Sequence, residues 1–116
     1  MILFCYPTCS TCRKAKAWLE GRGIAFAERH IAVENPTYQE LREWADRSGL
    51  PLKKFFNTSG LRYRELGLKD RLDTMSREEQ LLLLASDGML VKRPLLVEDE
   101  LVLVGFREKD WEKHLK

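Results

Sequence analysis

No stretch of this chain stays apolar for long. Beyond the first strand the longest hydrophobic run, Leu81 to Ala85, lies between Glu79 and Asp87. It falls far short of the roughly 20 residues that a membrane-spanning helix needs, so no membrane association is expected. The first residues lack the basic segment and long apolar segment of a secretory signal, and a cytoplasmic location is expected. Charge of one sign is scarce too. Twenty Lys and Arg against 18 Asp and Glu leave a net charge of +2, too little to argue for direct contact with nucleic acid. Histidine occurs twice, as His30 and His114, and both read as structural or solvated. Zinc wants four ligands, and the chain has neither a second C-x-x-C nor an H-x-x-x-H. No metal set of Cys5, Cys9, Cys12 and His30 is therefore expected. Cysteine is confined to those three positions. Three cysteines within the first dozen residues make a poor disulfide framework, and reactive thiols are the better reading. The 116 residues, 44% hydrophobic and 33% charged, fit one globular domain that buries its core without disulfide staples.

What is there centres on Cys9-Ser10-Thr11-Cys12-Arg13-Lys14, close behind the apolar run Met1 to Cys5. Pro7 stops the strand, Thr8 or Ser10 is expected to cap a helix, and Arg13 to Leu19 reads as the body of that helix. The two sulfurs then sit at a strand-to-helix turn, where unpaired amides and the helix dipole favour an anion such as a thiolate. Arg13, Lys14 and Lys16 are cationic on the same turn. Cys9, at the mouth of the turn, is the expected nucleophile. Cys12, in the first helical turn and facing inward, is the expected resolving thiol, because breaking a mixed disulfide needs a second sulfur within reach. Cys5, alternating with Leu3 on the strand, is expected in the core.

Along the chain, strand 1–5, helix 10–22 and strand 24–31 make a βαβ unit. Thr37-Tyr38-Gln39-Glu40 is a capping box opening a helix that runs to Ser48, with Gly49 as its stop. Its Tyr38, Leu41, Trp44, Ala45 and Ser48 share one face. Pro51 to Phe56 and Leu61 to Leu68 read as short helices, and 70–74 as a connection. Ser76-Arg77-Glu78-Glu79 is a second capping box, for a helix that Gly88 ends. Leu95–Val97 and Leu101–Val104 flank the acidic turn 98–100 as an antiparallel hairpin, and 108–115 is a terminal helix burying Trp111 and Leu115. The fold class expected is α/β, a thioredoxin-like β-α-β, helical insertion, β-β-α order with a mixed four-stranded sheet. Residues 1–116 would form one domain, with the insertion at about 36–88.

Several segments carry a family resemblance. They are Pro7 to Ala15, Trp18-Leu19, Lys53 to Thr58, Lys92-Arg93-Pro94-Leu95 and Val104-Gly105-Phe106. On these the chain resembles the arsenate reductase-like family, which also contains the Spx regulators. The resemblance implies that Cys9 attacks arsenate or a thiol partner and that Cys12 closes a reversible disulfide with it. Arg93 matches an arginine ahead of a cis-proline, here Pro94. A guanidinium there holds an oxyanion, a carboxylate or a thiolate. Arg107 matches a further oxyanion-binding arginine. Thr11, Arg13, Arg93, Pro94 and Arg107 are thus the binding candidates, with Cys9, Cys12 and Arg93 catalytic. The chain departs from the arsenate reductases at Asn57, where they carry a third arginine, and at Cys5, in place of an activating histidine. Both departures argue against arsenate.

Two functions are expected on these grounds. One is a thiol-dependent oxidoreductase acting on a small thiol, an oxyanion or a thiol-bearing protein, with no bound cofactor and with glutathione, glutaredoxin or thioredoxin as external reductant. The alternative is an Spx-like redox-sensing transcriptional regulator that binds the RNA polymerase α subunit. In the Spx regulators a glycine of the insertion matters for that contact, and Gly49 lies near its position.

Overall fold

A computed structural model describes residues 1–115 of the chain; Lys116, the last residue of the expected domain, lies outside the described residues. Strand β1 (Ile2–Cys5) leads through a short turn into helix α1 (Ser10–Gly21), and β2 (Ala27–His30) returns beside β1. Helices α2 (Tyr38–Ser48), α3 (Leu61–Glu65), α4 (Leu68–Arg71) and α5 (Arg77–Ser86) come next, and then β3 (Leu95–Val97), β4 (Val102–Val104) and α6 (Glu108–His114). The sheet order is β2-β1-β3-β4. The β1–β2 pair is parallel, with Cys5 opposite His30, while β1–β3 and β3–β4 are antiparallel. This is the mixed four-stranded, thioredoxin-like arrangement that the element order implied.

Alternation along β1 explains the layering, because successive side chains point to opposite faces of a sheet. Leu3 and Cys5 face one core with Cys12, Ala15 and Leu19 of α1, Leu96 of β3, Trp111 of α6 and Leu115 just beyond it. Phe4 faces the other, larger core, which holds Leu41 and Trp44 of α2 and Leu81 and Leu84 of α5. Phe4 meets Trp44 edge to face at 5.4 Å, a favoured geometry for aromatic pairs. With both faces covered, β1 tolerates no polar residue, and Leu3 and Phe4 are fully buried.

Both capping boxes form, Thr37 with Glu40 and Ser76 with Glu79. Elsewhere the sequence reading needs correction. Only Ala27–His30 of the expected 24–31 strand pairs with β1, because β1 itself offers four residues. Ile24 instead closes the end of α1, donating its N–H to the Leu19 carbonyl at 3.0 Å. The expected helix 51–56 is one 3₁₀ turn, Leu52–Phe55, after which Phe56 bridges to Val91. The expected helix 61–68 breaks at Gly67, and 70–74 is not a plain connection but the end of α4 and a 3₁₀ turn. Gly88 is not a helix stop. Helix α5 ends at Ser86, and Gly88 opens a further 3₁₀ turn capped by the Asp87 carboxylate. Gly88 lies so close to the end of β2 that a Cβ there would collide with the Ile31 carbonyl and approach Asn35 Cβ to 2.9 Å. Its need for glycine is steric.

Candidate active site

The turn between β1 and α1 is built by Tyr6, whose carbonyl accepts the Cys9 N–H at 3.0 Å. The cap expected of Thr8 or Ser10 is supplied by Cys9 itself. Cys9 is the N-cap of α1, and its Sγ accepts the Cys12 N–H at 3.4 Å. That amide is the third of the helix, the one that a capping hydroxyl usually satisfies. The half-buried Cys9 sulfur therefore occupies the position where the helix directs partial positive charge. Cys12 is 2% exposed and turned into the core beside Cys5, 5% exposed. The Cys12 thiol is pushed far above its ordinary range by the neighbouring Cys5 thiol and by burial, against a smaller pull from the Tyr6 backbone and Cys9. The two sulfurs of the motif are thus unlike: one at an electropositive mouth, one buried and held neutral.

Beside this turn lies a cleft of about 770 Å³, lined by Thr11, Lys53, Lys54, Lys92, Arg93 and Arg107, with Phe56 and Phe106 as apolar walls and Asp110 as its one carboxylate among the described residues. Segment pairing assembles the cations. Phe56 bridges Val91, the Lys92 N–H donates to the Phe55 carbonyl at 2.7 Å, and the Asn57 N–H donates to the Leu90 carbonyl at 2.7 Å. This brings Lys53 and Lys54 of the helical segment against Lys92 and Arg93. The Arg93–Pro94 bond is cis. The Pro94 carbonyl accepts the N–H of Gly105, a residue at φ +76°, at 2.8 Å. That contact sets the end of β4, and with it Phe106 and Arg107, beside Arg93. No ion pair among the described residues uses any of the five cations. Arg93 Nη1 is buried without a hydrogen-bond partner among the described residues, and its guanidinium lies 5.2 Å over the Tyr6 ring. A charged donor left unsatisfied is costly, and the guanidinium of this cleft-lining residue has no anionic partner among the described residues.

Of the residues expected from sequence, Thr11, Arg93 and Arg107 meet in this cleft, and Cys9 and Cys12 stand on the adjoining turn. Arg13 and Pro94 do not line it. Arg13 is on the exposed face of α1, and Pro94 is buried behind Arg93. Lys16 is drawn away to β2, where it pairs with Glu28 at 2.9 Å. His30 does structural work, its Nδ1 accepting the Ala32 and Val33 N–H groups. Asn57 sits outside the cleft between Phe56 and Thr58, which line it. Sequence reasoning missed Lys53, Lys54 and Lys92 as site residues. All three lie in segments that carry the family resemblance, but as charges each looks like any solvated surface lysine. No group of three or more His, Cys, Asp or Glu among the described residues is placed to hold a metal.

A C-x-x-C at the first strand-to-helix turn of a thioredoxin-like sheet, beside a cationic cleft, defines the class. Residues 4–114 match the model of the ArsC family, and the chain belongs to that family. It is 55% identical over 98% of its length to YusI of Bacillus subtilis, an uncharacterized protein of which it covers 97%. It is 31% identical to the regulatory protein MgsR of the same organism, over 91% of this chain and 82% of MgsR. It is 27% identical to the global transcriptional regulator Spx of Staphylococcus epidermidis, over 97% of this chain and 85% of Spx. Among solved structures, an ArsC family related protein from Bacteroides fragilis superposes with a TM-score of 0.94 at 54% identity, covering 97% of this chain and 94% of that one. A possible arsenate reductase from Streptococcus mutans gives 0.88 at 47%, covering 96% of each chain.

Proposed function

We propose that this chain is a thiol–disulfide oxidoreductase of the ArsC family that works through Cys9 and Cys12. The observation that carries the reading is the Cys9 sulfur serving as the N-cap of α1, in hydrogen-bond contact with the Cys12 amide. Cys9 as thiolate attacks one sulfur of a disulfide, forming a Cys9 mixed disulfide and expelling the other sulfur as a thiolate. Cys12 then attacks the Cys9 sulfur. Its proton passes to the thiol that leaves, and a Cys9–Cys12 disulfide remains. The substrate disulfide gains two electrons and the protein dithiol loses two. An external thiol reductant such as glutathione, glutaredoxin or thioredoxin restores the dithiol. Cys12, held neutral by Cys5 and burial, stays out of the first step and acts only when the adduct brings a reactive sulfur to it. Arg93, unpaired at the cleft, steadies the anionic part of the substrate. Arsenate is the less favoured oxyanion, because Asn57 contributes no cation to the cleft and the buried Cys5 supplies no activating base. The reaction belongs to a reducing compartment, in keeping with a cytoplasmic location.

Reduction of a glutathionyl mixed disulfide with glutathione as reductant tests this. Cys9→Ser should lose turnover by about 10³-fold or more, and Cys12→Ser should accumulate a Cys9 adduct visible by intact mass. Normal turnover by Cys9→Ser would overturn the reading.

The names of MgsR and Spx favour a second reading, a redox-sensing regulator whose Cys9–Cys12 disulfide alters a surface that binds the RNA polymerase α subunit. Gly49 does not distinguish it. At φ +67° it closes α2, a sufficient reason for glycine. A pull-down of the α subunit by the oxidised and reduced forms separates the two. Binding in one state by a chain without turnover would establish the regulator, and no binding in either state would remove it.

A further inference from the structure

The cleft is better stocked with positive charge than a single small oxyanion requires. Among the described residues, Lys53, Lys54, Lys92, Arg93 and Arg107 face it against one carboxylate, Asp110. None of the five is in an ion pair, and Arg93 Nη1 has no protein partner among the described residues. A volume of about 770 Å³ is that of a small-molecule site. The cations ring a recess, which fits a compact polyanion better than the face of an acidic protein. Cys9 is not among the lining residues; Thr11, two positions along α1, is where the cleft meets the turn. A ligand whose anionic groups fill the cleft must therefore reach out of it, past Thr11, to present sulfur to Cys9. Glutathione has its carboxylates at both ends and its sulfur between them, which would leave the sulfur inside the cleft. A thiol on a long neutral arm ending in phosphates matches the layout: phosphates among the lysines and arginines, an apolar or aromatic group against Phe106, and sulfur at the turn.

We propose that the cationic cleft selects phosphate-bearing thiols of the coenzyme A type, presented as disulfides. The proposal rests on Cys9 and Cys12 acting as above and names the substrate class of that site. For a symmetrical disulfide RSSR, the two-step exchange yields two RSH and the Cys9–Cys12 disulfide, so a single turnover of pre-reduced protein needs no further reductant.

The test mixes the pre-reduced chain with coenzyme A disulfide, with pantethine and with glutathione disulfide, and monitors release of free thiol. Pantethine carries the same sulfur and arm without the nucleotide phosphates, so intrinsic thiol reactivity is matched and only the anchor differs. Coenzyme A disulfide is expected to react about tenfold faster or more at about 50 mM salt, and to lose most of that preference at about 500 mM. Lys53→Gln/Lys54→Gln and Lys92→Gln should each cut the preference over pantethine about threefold or more, with thermal unfolding as the check on the fold. The salt series on the unaltered chain decides the matter should a variant fail to fold. Equal rates for coenzyme A disulfide and pantethine, or a faster reaction of glutathione disulfide, would overturn the proposal while leaving the thiol chemistry standing. Inertness toward every disulfide would overturn both.

Discussion

Replacing the Cys9 sulfur by oxygen should make the protein more stable while removing the proposed thiol chemistry. The sulfur caps α1 by accepting the Cys12 N–H at 3.4 Å. The two hydroxyl caps of the same molecule, Thr37 on α2 and Ser76 on α5, reach their equivalent amides at 3.1 Å. A thiol sulfur is a weak acceptor, whereas serine is among the best N-caps and exceeds alanine there by about 1 kcal/mol. Cys9→Ser should therefore be more stable than Cys9→Ala by about 1 kcal/mol, with the unaltered chain between them. For a chain of this size that gap is about 3–6 °C in Tm. Urea and thermal unfolding of the three proteins at pH 7 under a thiol reductant measure it, and the denaturant slope should not change between them. Equal stability of Cys9→Ser and Cys9→Ala would refute the reasoning. It would mean that position 9 caps nothing and that the sulfur does not sit on the amides that the proposed chemistry needs. Serine at this position would be a better helix cap and a poorer nucleophile, which is why cysteine there speaks for function.

Two further outcomes come from the packing around the motif. Gly88→Ala drives a Cβ into the Ile31 backbone, and Ile31 in turn donates to the Cys5 carbonyl. It should cost about 3 kcal/mol, the upper part of the overpacking range because the obstacle is backbone, and a fall in Tm under about 3 °C would contradict the close approach. The Cys12 thiol titrates higher folded than unfolded, because Cys5 and burial favour its neutral form. Its contribution to stability is whole below the ordinary thiol value of about 8.5 and drains as the pH rises above it, since the unfolded chain then loses the proton first. Cys12→Ala should flatten the alkaline limb of the stability profile, and iodoacetamide at pH 8 should label Cys9 and spare Cys12 in the native protein; equal labelling would contradict the burial.

Elements whose signals lie within a few neighbouring residues were legible in the chain. The Thr37/Glu40 and Ser76/Glu79 boxes, the hairpin around 98–100 and the C-x-x-C behind an apolar strand are of this kind, because caps, turns and alternation are local physics. The element order was enough for the thioredoxin-like class. Long-range contact decided what the sequence misread. The strand at Ile24 was cut short by the four residues that β1 offers, and Gly88 is glycine because of Ile31, far away in sequence. The site divides along the same line. Cys9 at a helix start and Cys12 facing inward are set by spacing alone, since one turn of helix fixes their relation. That Cys9 itself is the cap and that Cys5 packs beside Cys12 were decided by how β1 and α1 come together, and Lys53 and Lys54 joined Lys92, Arg93 and Arg107 around one cleft only when Phe56 met Val91 and Gly105 met Pro94. Charge has no local pattern that distinguishes a solvated lysine from one aimed at a ligand; the folded chain makes that difference by where it brings distant segments together.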